Sequence, residues 1–231
     1  MNRTRWIIFV VIAAGILLLL VLSSGNSGLN VNSVDANTIQ KATSQGGNIA
    51  DHVFGKVGSK VTLIEYGDFQ CPPCGEIYPV VKSISEQYKN QLQYIFRNFP
   101  IADLHPNAKA AAASAEAAGL QGKYWGMHDK IYETQNDWSN LSTTERTKFF
   151  DSLASELGID IKKFDTDMAS SFVSDKISYD IALGTKSSVS GTPSFFLNGK
   201  KLDPKTEYST ESTFKDTINA ELKTAGIPLP K

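Results

Sequence analysis

The chain has 231 residues, 41% of them hydrophobic and 20% charged, with a formal net charge of −1. This length suits one medium domain or two small ones, and the near-neutral charge argues against a nucleic-acid-binding protein, which usually carries a basic excess. Two cysteines are too few for a disulfide-stapled scaffold, so their spacing is more informative than their number.

The N-terminus carries an uncharged, apolar run of 17 residues at 6–22, preceded by Arg3 and Arg5. This length is at the short end of what spans a bilayer as a helix, and basic residues before such a run place the N-terminus in the cytoplasm. We therefore expect a single-pass anchor in the cell membrane, with the rest of the chain on the extracytoplasmic face. A cleaved signal peptide, with Ser23 and Gly25 near the cut, is the alternative.

Residues 23–50 are rich in Ser, Asn and Gly and show neither helical nor strand periodicity. Such a stretch buries too little apolar surface to offset its ordering entropy. We therefore predict a flexible tether at residues 23–50, followed by a folded domain at residues 51–231.

The folded domain begins with a predicted strand–helix–strand unit at residues 61–66, 72–89 and 92–99. The two strands are β-branched and aromatic runs that end before Gly67 and Pro100, and the helix shows apolar residues at helical intervals after two prolines. Such a unit implies parallel strands joined by a right-handed crossover.

Helices fill the middle of the chain, and strands return near its end. Helical patterns cover residues 107–118, 123–135, 142–157, 160–169, 174–186 and 210–225, and strand patterns cover residues 193–197 and 200–202 around an Asn198-Gly199 turn. We therefore predict one α/β domain, with helices at about 105–187 inserted between a βαβ half and a ββα half.

The chemistry lies in Cys71-Pro72-Pro73-Cys74, a C-x-x-C motif at the start of the first predicted helix. This spacing brings two thiols close enough for a disulfide, and a helix N-terminus favours the thiolate, the form that attacks disulfides. A metal site would need more ligands than the chain offers at suitable spacing, and a purely structural disulfide in so short a loop would stabilise the fold little. A redox-active pair is therefore the leading interpretation.

Four segments resemble the DsbA-like thiol-disulfide oxidoreductases of the thioredoxin superfamily. They are EYGDFQCPPC at 65–74, FRNFPIADLHPNA at 96–108, QGKYWGMHDKIYETQ at 121–135 and GTPSFFLNG at 191–199, in the order that the family has. The resemblance implies a thioredoxin fold with an inserted helical domain, in a membrane-anchored form of the family. It implies no cofactor other than the redox-active Cys71–Cys74 disulfide and no metal.

The resemblance also assigns roles by position. Cys71 corresponds to the exposed nucleophile and Cys74 to the buried resolving cysteine. Pro193, with Thr192 before it, corresponds to a cis-proline that faces the motif and helps to bind an extended substrate; a trans proline at a strand edge is the alternative. Glu65 corresponds to a buried acid that accepts the Cys74 proton, the alternative being a solvated strand end.

Residues outside these positions are predicted to be structural. His105 precedes a proline at a loop-to-helix junction and is expected to form local hydrogen bonds, the alternative being a place on the substrate surface. Trp125, Tyr132 and Trp138 are expected to pack helices together, the alternative being that an aromatic near the groove binds unfolded chains.

These features predict an extracytoplasmic thiol oxidase that donates its disulfide to reduced client proteins. The resemblance suggests reoxidation by a quinone-linked membrane partner of the DsbB-like or VKOR-like kind. The alternatives are an isomerase or reductase that is kept reduced, and a non-enzymatic chaperone or metal carrier. Family isomerases use an N-terminal dimerisation domain, which residues 23–50 are too polar to form, so we expect a monomer.

Overall fold

The structure of the protein is a computed structural model that describes residues 29–230. The predicted anchor at residues 6–22 lies outside this range, and within it no helix has the length and apolarity needed to cross a membrane. The chain divides into two compact units, Met1–Ser33 and Val34–Lys231, and all the secondary structure described below belongs to the second.

A mixed sheet, five-stranded within the described range, forms the centre of the second unit. Its strands are β1 (Val53–Gly55), β2 (Thr62–Gly67), β3 (Gln93–Asn98), β4 (Ser194–Leu197) and β5 (Lys200–Lys201), in the order β1-β3-β2-β4-β5. β2 and β3 pair in parallel, and the other pairs are antiparallel. β2 is central and buried along its whole length, which explains why its sequence lacks polar alternation.

Helices connect and flank these strands. They are α1 (Pro72–Gln87), α2 (Ala108–Gly119), α3 (Tyr124–Glu133), α4 (Gln135–Trp138), α5 (Thr143–Glu156), α6 (Ile161–Met168), α7 (Ser171–Lys186) and α8 (Glu211–Thr224). Helix α1 joins β2 to β3, and α2 to α7 lie between β3 and β4. The predicted α/β architecture, with helices inserted between a βαβ half and a ββα half, is therefore confirmed.

Aromatic rings hold helices against the sheet face that carries Glu65. The ring contacts are Tyr94 with Trp125, Phe96 with His128, and Phe195 with Phe214. These contacts place α3 and α8 over the same face of the sheet as Glu65, so this side chain is covered by helices rather than by solvent.

A buried ionic cluster lies on the opposite face. Arg97 of β3 donates to Asp51 Oδ2 at 2.7 Å, and Lys176 of α7 donates to Asp51 Oδ1 at 3.0 Å. Lys176 also donates to Asp180 Oδ1 at 2.6 Å. The four side chains are at most 1% exposed, so each charge depends on the others for its stabilisation.

Residues 34–50 are part of this folded unit. Arg97 donates hydrogen bonds to the carbonyl oxygens of Ala36 and Thr38, Ile49 is buried, and a 3-10 turn forms at Ser44–Gly46. The predicted flexible tether is therefore wrong for residues 34–50, and the folded domain begins before residue 51. A polar stretch can be ordered through its backbone carbonyls, which side-chain periodicity does not reveal.

Candidate active site

Cys71 and Cys74 lie where the chain leaves β2 and enters α1. Cys71 is the N-cap residue of α1, and Pro72 and Pro73 follow in its first two positions, where a missing N–H costs no intrahelical hydrogen bond. Both cysteines are free thiols, 6% and 0% exposed respectively. Cys74 is buried as predicted, but Cys71 is more enclosed than the exposed nucleophile that the resemblance implies.

The loop before β4 accounts for this enclosure of Cys71. The Thr192–Pro193 peptide bond is cis, as the resemblance implies. The Cys71 thiol donates to the carbonyl oxygen of Thr192 at 3.4 Å, so both predicted substrate-binding residues lie beside the predicted nucleophile. An open groove of about 520 Å³ begins here, and its walls include Pro73, Ile77, Val80, Pro193, Pro204 and Tyr208.

Asp68 organises the loop that precedes Cys71. Its carbonyl oxygen accepts a hydrogen bond from the Cys71 N–H at 3.0 Å. Its buried carboxylate accepts from the N–H groups of Gln70 and Ile101, each at 2.8 Å, and lies 2.7 Å from His105 Nδ1. The hydrogen-bonding role predicted for His105 is therefore confirmed, and it fixes the loop that carries the motif.

Gln135, at the start of α4, ties the inserted helices to the motif. Its Nε2 donates to the carbonyl oxygens of Phe69 at 2.7 Å and of Cys71 at 2.9 Å. Its amide also fills the space beside Gly75, where an added Cβ would lie 2.3 Å from the Gln135 Oε1. Sequence reasoning missed the role of Gln135, because a side chain that binds distant backbone groups leaves no periodic signal. The only signal for it is its place in the segment at 121–135.

The two thiols differ in acidity. The pKa of Cys71 is lowered from 9.0 to about 6, chiefly because the Cys74 side chain hydrogen-bonds its sulfur. Burial opposes this lowering, while hydrogen bonds from the Thr192 side chain and the Cys74 N–H assist it. The pKa of Cys74 is raised well above its ordinary value, chiefly by burial, with Cys71 and Glu65 adding to the rise. At neutral pH Cys71 is therefore mostly the thiolate, which no longer donates to the Thr192 carbonyl oxygen, and Cys74 is the thiol.

Glu65 lies on β2 beneath the pair. It is 3% exposed, so the alternative of a solvated strand end is wrong. The hydroxyl of Tyr94 donates to Glu65 Oε2 at 2.7 Å. Burial raises the pKa of Glu65 from 4.5 to about 7, the Tyr94 hydrogen bond opposes this rise, and the charge on Cys71 adds to it. A carboxyl group that titrates near neutrality can both accept and return a proton.

The aromatic residues assigned to packing do pack. Tyr132 and Trp138 are 5% and 0% exposed, and Trp138 Nε1 donates to the carbonyl oxygen of Ile131 at 2.8 Å. Trp125 packs against Tyr94 with ring centroids 5.3 Å apart. Within residues 29–230, no three His, Cys, Asp or Glu side chains are grouped so that they could hold a metal ion.

Known proteins resemble this chain in sequence or in fold. A sequence model of the family described as Thioredoxin matches residues 47–220. A thioredoxin-like oxidoreductase from Silicibacter pomeroyi DSS-3 is 25% identical and superposes with a TM-score of 0.62, over 78% of this chain and 97% of that chain. Alpha-DsbA1 from Wolbachia pipientis is 22% identical and superposes with a TM-score of 0.66, over 76% and 92% of the two chains.

Curated relatives of higher identity are much longer proteins. The Na(+)/H(+) antiporter NhaA 1 of Salinispora arenicola is 38% identical over 151 residues, which are 65% of this chain and 22% of the antiporter. The chain therefore spans about a fifth of the length of the curated relatives it matches. Because the match is confined to that fifth, the transport activity in their name is not carried over to this chain.

Proposed function

This chain belongs to the thioredoxin family, and we propose that it is an oxidase that donates a Cys71–Cys74 disulfide to reduced client proteins. The family match and the solved structures support the resemblance to DsbA-like thiol-disulfide oxidoreductases and the enzyme class. What is proposed here is the direction of electron transfer, the clients, the partner and the location.

The observation that carries the proposal is the lowered pKa of Cys71. With a pKa of about 6, Cys71 is mostly a thiolate at neutral pH, and this stabilises the reduced form of the protein. At pH 7 this ionisation shifts the equilibrium between the reduced and the oxidised protein about tenfold toward the reduced form. For a two-electron couple, this raises the reduction potential by ~30 mV. A stabilised reduced form favours electron flow from the client to this protein, which is the direction of an oxidase.

The proposed reaction has two exchange steps. A client thiolate attacks Cys71 Sγ, the Cys71–Cys74 bond breaks, and Cys74 leaves and takes up the proton held by Glu65. A second client thiolate then attacks the client sulfur of the mixed disulfide, forms the client disulfide and releases Cys71 as a thiolate. Two electrons pass from the client to the protein, while Thr192 and Pro193 hold the extended client backbone beside Cys71.

The cycle needs a partner and an oxidising compartment. We place the folded domain on the extracytoplasmic face of a cell membrane, supported by the apolar run at residues 6–22 and the arginines before it. Clients are then reduced secreted or surface proteins. A quinone-linked membrane oxidase of the DsbB-like or VKOR-like kind regenerates the disulfide, and the protein acts as a monomer.

The redox state of the pair in cells that produce the full chain tests the direction. Cells are quenched in acid and their free thiols are alkylated, so that the two states separate on a gel. An oxidase is found mainly oxidised, whereas an isomerase or reductase is found mainly reduced, and a mainly reduced pair would overturn the proposal.

Two cysteine variants test the assigned roles. Cys74→Ser should accumulate mixed disulfides between Cys71 and clients, because no second thiol remains to expel the bound chain. Cys71→Ser is the matched control, since it also exchanges one sulfur for oxygen, and it should accumulate none. Equal accumulation in both variants on non-reducing gels would contradict the roles of the two cysteines.

A further inference from the structure

A buried histidine, His128 of α3, packs on the sheet face that carries Glu65. Its side chain is 4% exposed and packs against the rings of Phe96 and Tyr132, with centroids 4.8 and 5.2 Å away. Nδ1 lies 3.0 Å from Asp129 Oδ1, whereas Nε2 has no hydrogen-bond partner among residues 29–230. Leaving a buried polar nitrogen unpaired costs free energy, so a further polar contact at Nε2 is indicated.

A small cavity adjoins His128 and supplies room for that contact. Its volume is about 20 Å³, above the ~10–15 Å³ that one water molecule needs. The walls come from β1, β3, α1 and α3, and the polar residues among them include Tyr94, Lys82 and Asp129. Tyr94 is also the residue that hydrogen-bonds Glu65, so one wall of the cavity is in contact with the acid beneath the redox pair.

The surroundings of His128 favour a neutral ring. Burial is the main cause that lowers its pKa, Asp129 opposes this, and Lys82 of α1 and His52 lower it further. A neutral ring that donates from Nδ1 to Asp129 presents Nε2 as an acceptor. His128 is therefore arranged to take a proton on one side and to give one up on the other.

We propose that His128 relays the Cys74 proton between Glu65 and solvent. On reoxidation, Cys74 gives its proton to Glu65. Glu65 then gives a proton to the Tyr94 hydroxyl oxygen, and at the same time the hydroxyl proton of Tyr94 passes to a water molecule in the cavity. That water protonates His128 Nε2, and Nδ1 gives its proton to Asp129, which is 31% exposed and releases it to solvent.

The relay also runs inward. When a client is oxidised, Cys74 must regain a proton, and the same chain of groups delivers one. The inward passage returns His128 to its starting tautomer, so no ring rotation is needed. The inference rests on the proposed cycle, in which Cys74 loses and regains one proton per turnover.

The test times the Cys74 step alone. The reduced full chain is mixed with dithiobis(nitrobenzoate), a disulfide that releases a coloured thiolate. Cys71 attacks the reagent and releases one thiolate; Cys74 then attacks Cys71 in the mixed disulfide and releases the second. Only the second release requires Cys74 to lose its proton, and its rate does not depend on the reagent concentration.

Two substitutions of His128 remove the relay. In His128→Asn and His128→Gln we expect the second release to slow roughly tenfold, less than the ~10²–10⁴-fold of a full general acid–base group because Glu65 remains. The first release should be unchanged. Asn retains a donor near Asp129, and Gln retains an acceptor near the position of Nε2, but an amide relays no proton.

Two readouts separate a relay from a structural role. A relay changes the rate of proton movement in both directions and not the equilibrium, so the reduction potential against glutathione should equal that of the wild type. A purely structural role of Nε2 would be restored by Gln. A shifted potential, or a second release at the wild-type rate in His128→Gln, would overturn the relay.

Asp129→Asn tests the outer end of the relay at a partly exposed position, where the fold tolerates change better. Its matched control is Glu133→Gln, because both carboxylates pair with Lys82, Asp129 at 3.0 Å and Glu133 at 2.7 Å. His128 contacts Asp129 and not Glu133. Asp129→Asn should slow the second release and the control should not. Equal rates of the second thiolate release in Asp129→Asn and Glu133→Gln would overturn the relay and leave the proposed function standing. A wild type that releases no second thiolate would contradict the proposed function itself.

Discussion

Replacing Glu65 with Gln should stabilise the reduced protein at alkaline pH. The Glu65 pKa is about 7 in the folded protein, against 4.5 without its surroundings, because the charged form is buried. Between these two values the unfolded chain loses a proton that the folded protein keeps. Stability is therefore full below pH 4.5 and falls as the pH rises through about 7.

The size of this loss follows from the difference between the two pKa values. At ~1.4 kcal/mol per pKa unit it amounts to about 3 kcal/mol once the pH exceeds both values. Gln cannot ionise, and its amide oxygen still accepts the hydrogen bond from Tyr94. The variant keeps the packing of the site and escapes the cost of burying a charge.

Urea unfolding of the reduced wild type and of Glu65→Gln at two pH values measures the difference. Near pH ~4 the two free energies of unfolding should agree, and near pH ~8.5 the variant should be more stable by up to about 3 kcal/mol. Cys71 ionises in both proteins. Only in the wild type does its charge repel a charged Glu65, so this repulsion adds to the predicted difference in the free energy of unfolding.

The same variant should be slower in the Cys74 step, because the proposed role of Glu65 is to accept the Cys74 proton. The second thiolate release from dithiobis(nitrobenzoate) should therefore take longer in Glu65→Gln than in the wild type. A stability difference that does not change with pH would refute the assignment of a buried, titrating carboxyl. A wild type more stable than Glu65→Gln near pH ~8.5 would show that the charged form is favoured instead.

Three further predictions concern the motif, the ionic cluster and Gln135. Pro73→His should lower the Cys71 pKa below about 6 and raise the reduction potential, because histidine supplies hydrogen-bond donors that proline lacks. Titration of the thiolate absorbance measures the pKa, and a higher pKa in the variant would contradict the prediction. Asp51→Asn should lower the free energy of unfolding in urea by about 3–5 kcal/mol, because it leaves two buried cations without their shared carboxylate, and a loss below about 1 kcal/mol would contradict the ionic cluster. Gln135→Met removes two hydrogen bonds to the motif loop at similar volume; unfolding should show a loss of about 1–3 kcal/mol, and no loss would mean that the loop holds without them.

The sequence by itself determined most of the helices and strands and pointed to the redox pair. Two prolines after a cysteine begin α1, and a capping box of Ser142 and Glu145 begins α5, because such signals act between residues close in the chain. The face of β2 that carries Glu65 was also predictable, since strand side chains alternate and a central strand is covered on both sides. Short β1 escaped prediction, because three residues carry too little pattern and form a strand only by pairing with β3.

Only the tertiary structure decided the chemistry of these groups. The acidity of Cys71 depends in part on the side chain of Thr192, which lies 121 residues further along the chain. The acidity of Glu65 depends on Tyr94 and on the helices that exclude water. The ordering of residues 34–50 depends on hydrogen bonds from Arg97 to their backbone, and the place of His128 beside a cavity depends on four packed elements. Burial and charge interactions are sums over atoms that distant segments bring together, so no local pattern in the sequence encodes them.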